Sequence, residues 1–249
     1  MPTPRLYTDN ALAEGTVVSC DDKRAHYLLN VMRLKSGQSV VLFNGRDGEW
    51  QATLEQSGKR SAQLQVAGQL REQRNSPDLW LLCTPLKNGR TDWVVEKATE
   101  LGVARICPVT TRYTTIDKVN ETRLHAIAVE AAEQSERMDV PQIEAAKSAT
   151  AMLGRWPKDR VLLYGDESGK GEQPAAAISK QEKLAILVGP EGGFSPEEFV
   201  LLRGLPFTRA VTLGPRILRA DTAAIAMLTL TQAASGDWHH KPAFRSEEP

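Results

Sequence analysis

The sequence predicts an α/β protein in which a small β-barrel precedes a larger domain of alternating strands and helices. Three observations predict it. Residues 5–71 carry short β-type runs broken by turn signals, with one helical stretch among them. From residue 78 onward strand-like and helix-like segments alternate, the pattern of a parallel sheet with helical crossovers. Between them EQRNSP (72–77) is polar, ends in proline and reads as a linker. The expected division is therefore 1–71 for the barrel, 72–77 for the linker, 78–236 for the α/β domain and 237–249 for a flexible tail.

The barrel strands are RLYT, TVVSC, SVVLFN, EWQATLEQ and SAQLQVAGQL, separated by segments such as SGQ, NGRDG and SGKR. The helix among them is DKRAHYLLNVMRL, where Ala25, Leu28, Leu29 and Met32 fall at i, i+3, i+4 and i+7 and make one apolar stripe. On another face His26, Asn30 and Arg33 fall at i, i+4 and i+7, with Lys23 one turn earlier. A solvated polar face and a phosphate-contacting face both fit that row. Arg5 and the turn Asn44-Gly45-Arg46 extend the same surface.

In the second domain the strands are LWLLCTPL, ARICPV, RVLLYGD, LAILVG and TRAVTLG, with helices over about 91–101 and 119–137. Ligands of such sheets bind beyond the carboxyl ends of the strands, so the loops there carry the function.

Composition narrows the class. Apolar residues are 41% and charged residues 25% of the 249, ordinary values for a folded globular chain. No uninterrupted apolar run reaches membrane-spanning length and the start MPTPRLYTDN has no apolar core, so no membrane partner and a cytoplasmic location are expected. Cys20, Cys83 and Cys107 lie far apart and suit reduced thiols, and with His26, His125, His239 and His240 they suggest no metal site. The formal net charge is zero, so any nucleic-acid binding must come from local patches.

Two strand-end loops stand out. In LAILVGPEGGFSPEE a buried strand runs into Gly189, Pro190, Glu191, Gly192 and Gly193, and a helix starts with Ser195 as cap, Pro196 in first place and Glu198 completing a capping box. Glycines let a ligand approach the backbone, although a tight turn that needs glycine for geometry alone fits equally. The second loop, PRILR, follows TRAVTLG and leads into ADTAAIAMLTLTQAA, with Asp221 or Thr222 near the helix start. That helix is apolar almost all round, which fits either a subunit interface or full burial in the monomer. GDESGKG (165–171) is no P-loop, because three residues rather than four separate its glycines and Gly171 follows Lys170. Tyr164, Gly165 and Asp166 follow a strand too and offer either a third wall or a plain surface loop.

Taken in order, LKNGRTDWVVEKATELGV (86–103), EAAEQSERM (130–138), GPEGGFSPEE (189–198) and LGPRILRADTA (213–223) resemble the RsmE family of SPOUT methyltransferases, which methylate ring nitrogen 3 of a uridine in 16S ribosomal RNA. The resemblance spans nearly the whole chain, the amino-terminal part matching a PUA-like RNA-binding β-barrel. It implies a deep trefoil knot, a homodimer and S-adenosyl-L-methionine as cofactor, with 16S ribosomal RNA or the small ribosomal subunit as partner. By position it puts Gly189, Pro190, Glu191, Gly192 and Gly193 on one side of the cofactor and Leu213, Gly214, Ile217, Leu218, Arg219 and Thr222 on the other. The chain departs from the family's Arg-Thr-Glu-Thr-Ala at Arg219, Ala220, Asp221, Thr222 and Ala223, though Asp221 keeps a negative charge at the helix start.

With that resemblance Arg5, Lys23, His26, Arg33, Lys87, Arg90 and Arg137 become the expected RNA contacts, and Gln134 a contact to base or partner subunit. Methyl transfer to a uracil nitrogen requires loss of the imide proton. Arg219 and Lys87 are the expected stabilisers of the resulting anion, with Glu96 a lower-ranked base; an ordinary solvated helix side also accounts for Glu96. Two rivals remain at this point: a SPOUT enzyme of other RNA specificity, such as ribose methylation, and a noncatalytic RNA-binding dimer. Cofactor binding and the identity of the modified nucleoside separate them.

Overall fold

Alternation along the early strands builds the first sheet: in EWQATLEQ, Ala52 and Leu54 are buried while Gln51 and Glu55 face solvent, so one side of the strand meets the core. The computed structural model describes residues 3–56, 58, 61–116, 118–178 and 183–240; most of the expected tail lies outside these residues. They form two compact units, one of residues up to Asn75 with Ala132–Val140, the other of Ser76–Ala131 with the chain from Pro141.

In the first unit β1 (Arg5–Tyr7), β2 (Val17–Ser19), β3 (Ser39–Phe43), β4 (Glu49–Gln56) and β5 (Ala62–Arg71) pair in the order β1-β3-β4-β5-β2, antiparallel except for β1 on β3. Leu6, Val40, Leu42, Leu54, Leu64 and Val66 form its core with Ala25 and Leu28. The helix is shorter than its apolar stripe predicts. It runs as α1 (Asp22–His26), widens into a π-helical turn over Tyr27–Val31, where the Met32 N–H donates to the Tyr27 carbonyl (2.8 Å), and ends before Arg33 at φ 56°. A π turn advances by more residues per turn than an α-helix. The row of His26, Asn30 and Arg33 therefore holds only at its start, where the Asn30 amide and His26 ring are 3.0 Å apart, while Arg33 lies past the helix end.

Residues 132–140 belong to this unit through a buried charge cluster. Glu49, 0% exposed at its side chain, accepts hydrogen bonds from Arg5 Nε (2.7 Å) and Arg71 Nε. Arg5 also donates to the carbonyls of Ala132 (2.8 Å) and Arg137 (2.7 Å) and lies 3.7 Å over the Phe43 ring. Of the residues expected to contact RNA, Arg5 is 3% exposed at its side chain and held by Glu49, and Arg137, 9% exposed at its side chain, pairs with Asp139 at 3.0 Å. Neither can leave its partner for a phosphate without stranding a charge.

The second unit contains β6 (Leu79–Cys83), α2 (Arg90–Glu100), β7 (Arg105–Thr110), the start of α3 (Glu121–Gln134), β8 (Gln142–Ile143), β9 (Lys147–Ser148) and α4 (Ala149–Leu153). It continues with β10 (Arg160–Gly165), α5 (Pro174–Ala177), β11 (Lys183–Val188), α6 (Pro196–Gly204), β12 (Thr208–Val211) and α7 (Ala220–Ser235). The strands pair in the order β12-β10-β11-β6-β7-β8, with β9 also on β7, all parallel as the alternation predicts. Short β8, β9, α4 and α5 were not expected. Cys83 and Cys107 are buried thiols pushed up to about 12 by burial, so neither is a thiolate near neutrality. Among the described residues no helix is long and apolar enough to cross a membrane.

Burial alone would raise the Glu49 carboxyl, but hydrogen bonds from Arg71 and Arg5 hold it below the ordinary glutamate value of 4.5. A group depressed in this way contributes stability above its unfolded pKa and loses it as pH falls through the folded one. Glu49→Gln is therefore expected to cost about 3–5 kcal/mol at pH 7 in urea denaturation. It should also flatten the loss of stability below about pH 4.5. Unchanged stability at pH 7 would show the cluster to be dispensable.

Candidate functional site

Because β12, β10 and β11 are neighbours and parallel, Val211, Gly165 and Val188 end at one edge of the sheet. Their loops enclose a cavity of about 460 Å³. Each loop is fixed for a local reason. The loop after β11 is held by the capping box the sequence predicts: Ser195 accepts from the Glu198 N–H, Glu198 accepts from the Ser195 N–H (2.8 Å), and Pro196 opens α6. The loop after β10 is laced to β12, with the Asp166 N–H on Val211 O, the Glu172 N–H on Ala210 O and the Thr212 N–H on Glu172 O, each 2.9 Å. Between β12 and α7, residues 212–219 have neither helix nor strand structure.

Four of the five residues expected from the first loop, Gly189, Pro190, Glu191 and Gly193, line the cavity. Gly193 needs its φ of +69°, and a Cβ there would lie 2.7 Å from the Glu167 carboxylate. Gly192 does not line it; its Cα faces Tyr113, whose Cβ would be 3.2 Å from an added methyl. From the second loop Leu213, Gly214, Ile217, Leu218 and Arg219 line the cavity, and Ile217 is 82% exposed. Thr222 is exposed outside the lining. Asp221 and Thr222 stand in the first turn of α7 as expected: Arg219 is the N-cap with no side-chain cap bond, and Asp221 puts its negative charge there, accepting from the Thr222 N–H (2.9 Å) and pairing with Arg90 at 3.7 Å.

Of the three groups expected to carry chemistry, only Arg219 reaches the cavity. Lys87 is exposed in the turn before α2, and Glu96 is bound to Lys97 at 2.7 Å, which also holds Glu100. Lys23, His26 and Arg33 are exposed on the first unit.

Sequence reasoning saw the third wall only as one of two options. Gly165 and Asp166 line the cavity, as do Glu167, Ser168 and Gly169, whereas Tyr164 is buried in the core. Phe194, Phe199 and Arg216 also line it; spacing gave no signal for the two rings, and Arg216 was visible only as a second arginine in PRILR. Asp166 is 1% exposed at its side chain. Burial would raise its carboxyl, but Ser168 and then Arg203 hold it below the usual aspartate value. The cavity lining therefore combines a buried carboxylate with exposed Arg216 and Arg219.

Gly171 and Gly169 separate two kinds of glycine requirement. A Cβ on Gly171 would lie 2.6 Å from the Val211 backbone, whereas Gly169 has φ +74° and open space. Gly169→Ala is expected to cost about 1 kcal/mol from strain alone, and Gly171→Ala about 1–3 kcal/mol more by pushing the loop off β12. Equal melting temperatures for the two variants would refute that lacing.

Residues 73–232 match the family described as RNA methyltransferase domain, and residues 21–67 match RNA methyltransferase PUA domain. The chain is 35% identical over 228 residues to ribosomal RNA small subunit methyltransferase E of Rickettsia conorii, covering 90% of this chain and 93% of that one. It is 29% identical to the Bacillus subtilis protein of the same name over 89% of this chain and 92% of that one. Among solved structures, ribosomal RNA small subunit methyltransferase E of Neisseria gonorrhoeae bound to S-adenosyl methionine superposes with a TM-score of 0.86 at 27% identity, over 95% of this chain and all of that one. A Legionella pneumophila methyltransferase in complex with SAM gives 0.85 at 29% identity over the same shares. On this similarity, spread over both units and the loops of the cavity, the chain belongs to the ribosomal RNA small subunit methyltransferase E family.

Proposed function

We propose that the protein transfers a methyl group from S-adenosyl-L-methionine to ring nitrogen 3 of a uridine in 16S ribosomal RNA, as a homodimer in the cytoplasm. The observation that carries this reading is the single cavity at three parallel strand ends, formed from the GPEGG and LGPRILR loops. Its residues fit the cofactor. About 460 Å³ lies within the range of small-molecule sites. Val188, Phe194, Phe199 and Leu218 offer apolar walls, and the irregular backbone of 213–219 offers amides and carbonyls for a purine edge. When bound there, the cofactor supplies a methyl group on a sulfonium, open to direct displacement.

The chain's own contribution is alignment and charge. Arg219, exposed at the cavity rim, stabilises the uracil anion once the imide proton has left. Lys87 steers RNA toward the rim, and Arg90 braces the first turn of α7 through Asp221. Glu96, held by Lys97, is the weaker choice of base. Thr222, outside the lining, is no longer a preferred cofactor contact, and Gly192 serves by leaving room for Tyr113. The knot belongs to the same proposal: α7 follows loop 212–219 and packs on α2 and β11. For the dimer, the support is that Leu230 on α7 is 41% exposed.

The reading is tested by calorimetry with S-adenosylmethionine and by mass spectrometry of nucleosides from 16S RNA treated with the protein. Heat of binding and N3-methyluridine are expected. No cofactor binding would favour a noncatalytic RNA-binding dimer, and a 2′-O-methyl nucleoside a different SPOUT specificity. On the first unit, Arg33→Glu is expected to weaken RNA binding about tenfold at low salt while leaving cofactor affinity unchanged. Equal RNA affinity would remove Arg33 from the interface.

A further inference from the structure

We infer that Arg203, just outside the cavity on α6, is a positioning residue that couples two cavity walls through the side chains of Asp166, Ser168 and Phe199. The inference rests on the reading of that cavity as the S-adenosylmethionine site.

Arg203 does not line the cavity, yet it touches three residues that do. Its NH2 group donates to the Asp166 carboxylate at 3.1 Å and to Ser168 Oγ at 3.3 Å, and its guanidinium lies 5.2 Å from the Phe199 ring centre. Asp166 in turn accepts from the Ser168 N–H at 2.9 Å, which closes a small turn at the start of the wall after β10. Phe199, one helical turn before Arg203, meets Phe194 edge to face with centroids 5.6 Å apart. The Phe194 ring lies against Gly189, where an added Cβ would stand 3.1 Å away. A continuous set of contacts thus runs from loop 165–169 through Arg203 to loop 189–194.

The geometry favours arginine. Here one terminal nitrogen of the guanidinium holds both the carboxylate and the hydroxyl while the planar group lies near a ring; a lysine ammonium can form the ion pair but has no planar group to set beside the ring. Arg203 is 43% exposed at its side chain while Asp166 is 1% exposed, so the pair is solvated on the arginine side and the buried carboxylate it meets belongs to the loop after β10. Its effect is therefore concentrated in the loop it holds. With the contact gone, Asp166 keeps only the bonds of its own turn, the wall after β10 opens more often, and the cofactor must order it on binding.

The test uses Arg203→Met and Arg203→Lys in the full-length protein. In Arg203→Met the Kd and KM for S-adenosylmethionine are expected to rise about tenfold, with kcat at saturating cofactor within about twofold. Arg203→Lys should recover part of the affinity through the ion pair alone. Amide exchange of residues 165–172, measured without ligand, should be about tenfold faster in Arg203→Met. Unchanged exchange, or an unchanged Kd in a wild-type protein that binds, overturns the inference. If wild-type protein takes up no S-adenosylmethionine, the functional reading fails, and the exchange measurement still decides whether Arg203 holds the loop. Should Arg203→Met fail to fold, exchange and Kd in Arg203→Lys decide instead, and values equal to wild type overturn the argument from the ring.

Discussion

The guanidinium of Arg160 meets the amino ends of three parallel strands at once. It is the first residue of β10, only 3% exposed, and donates to the carbonyl of Leu184 on β11 (2.9 Å) and to the carbonyl (2.8 Å) and carboxylate (2.6 Å) of Asp78, just before β6. It also lies 3.8 Å over the ring of Trp80, while the Trp156 indole N–H donates to the Arg160 carbonyl and Trp156 stacks on Phe207, just before β12. In a parallel sheet a one-residue slip turns every side chain to the opposite face. Arg160 pins the register at one edge, and about five residues later the same strands end at Gly165, Val188 and Cys83 with their loops side by side. The cavity inherits its shape from this remote pairing.

Charge is distributed by the same logic. The formal balance is zero, but the count of basic residues overstates what can meet a polyanion. Arg5 and Arg71 are committed to Glu49, Arg137 to Asp139 and Arg160, itself 3% exposed at its side chain, to Asp78. Exposed cations lie at other places, among them Lys23 and Arg33 on the first unit and Lys87, Arg216 and Arg219 on the second. Arg216 and Arg219 flank a cavity that also contains the buried Asp166 carboxylate. The lining thus carries both signs of charge, a buried carboxylate held by Arg203 and two exposed guanidinium groups.

What could be read from the sequence follows the range of the interaction concerned. Strand runs and the Ser195-Pro196-Glu198 cap are local patterns, and both stand in the structure where the residues predict them. The Arg5–Glu49 pair joins residues 44 apart, and its link to Ala132 spans 127, so no periodicity could show Arg5 to be buried. The π turn at Tyr27–Val31 was hidden for a different reason: an α-helical stripe and a widened turn share their first residues, and only packing against the sheet chooses between them. In the candidate site the glycines and the PRILR loop were legible because backbone geometry demands particular residues. Phe194, Phe199 and Arg203 were not, since an aromatic in a loop, or an aromatic or arginine on a short helix, announces only that it is there.

Helix α7 shows how composition can mislead about environment. Its sequence is apolar almost all round, yet burial falls on Ala220, Ala224, Met227, Leu228, Thr231 and Gln232. Its neighbours within the unit are α2, α5 and β11, so small alanines on several sides permit close approach rather than demand a partner. The side-chain amide of Gln232 even donates to the Leu101 carbonyl at the end of α2, a polar contact that only close packing allows. Full burial in the monomer is nevertheless incomplete, because Leu230 remains exposed beside the buried stripe and Trp93 is exposed on α2. The helix that carries Arg219 at its cap is thus fixed on its inner side by α2, α5 and β11 of this chain.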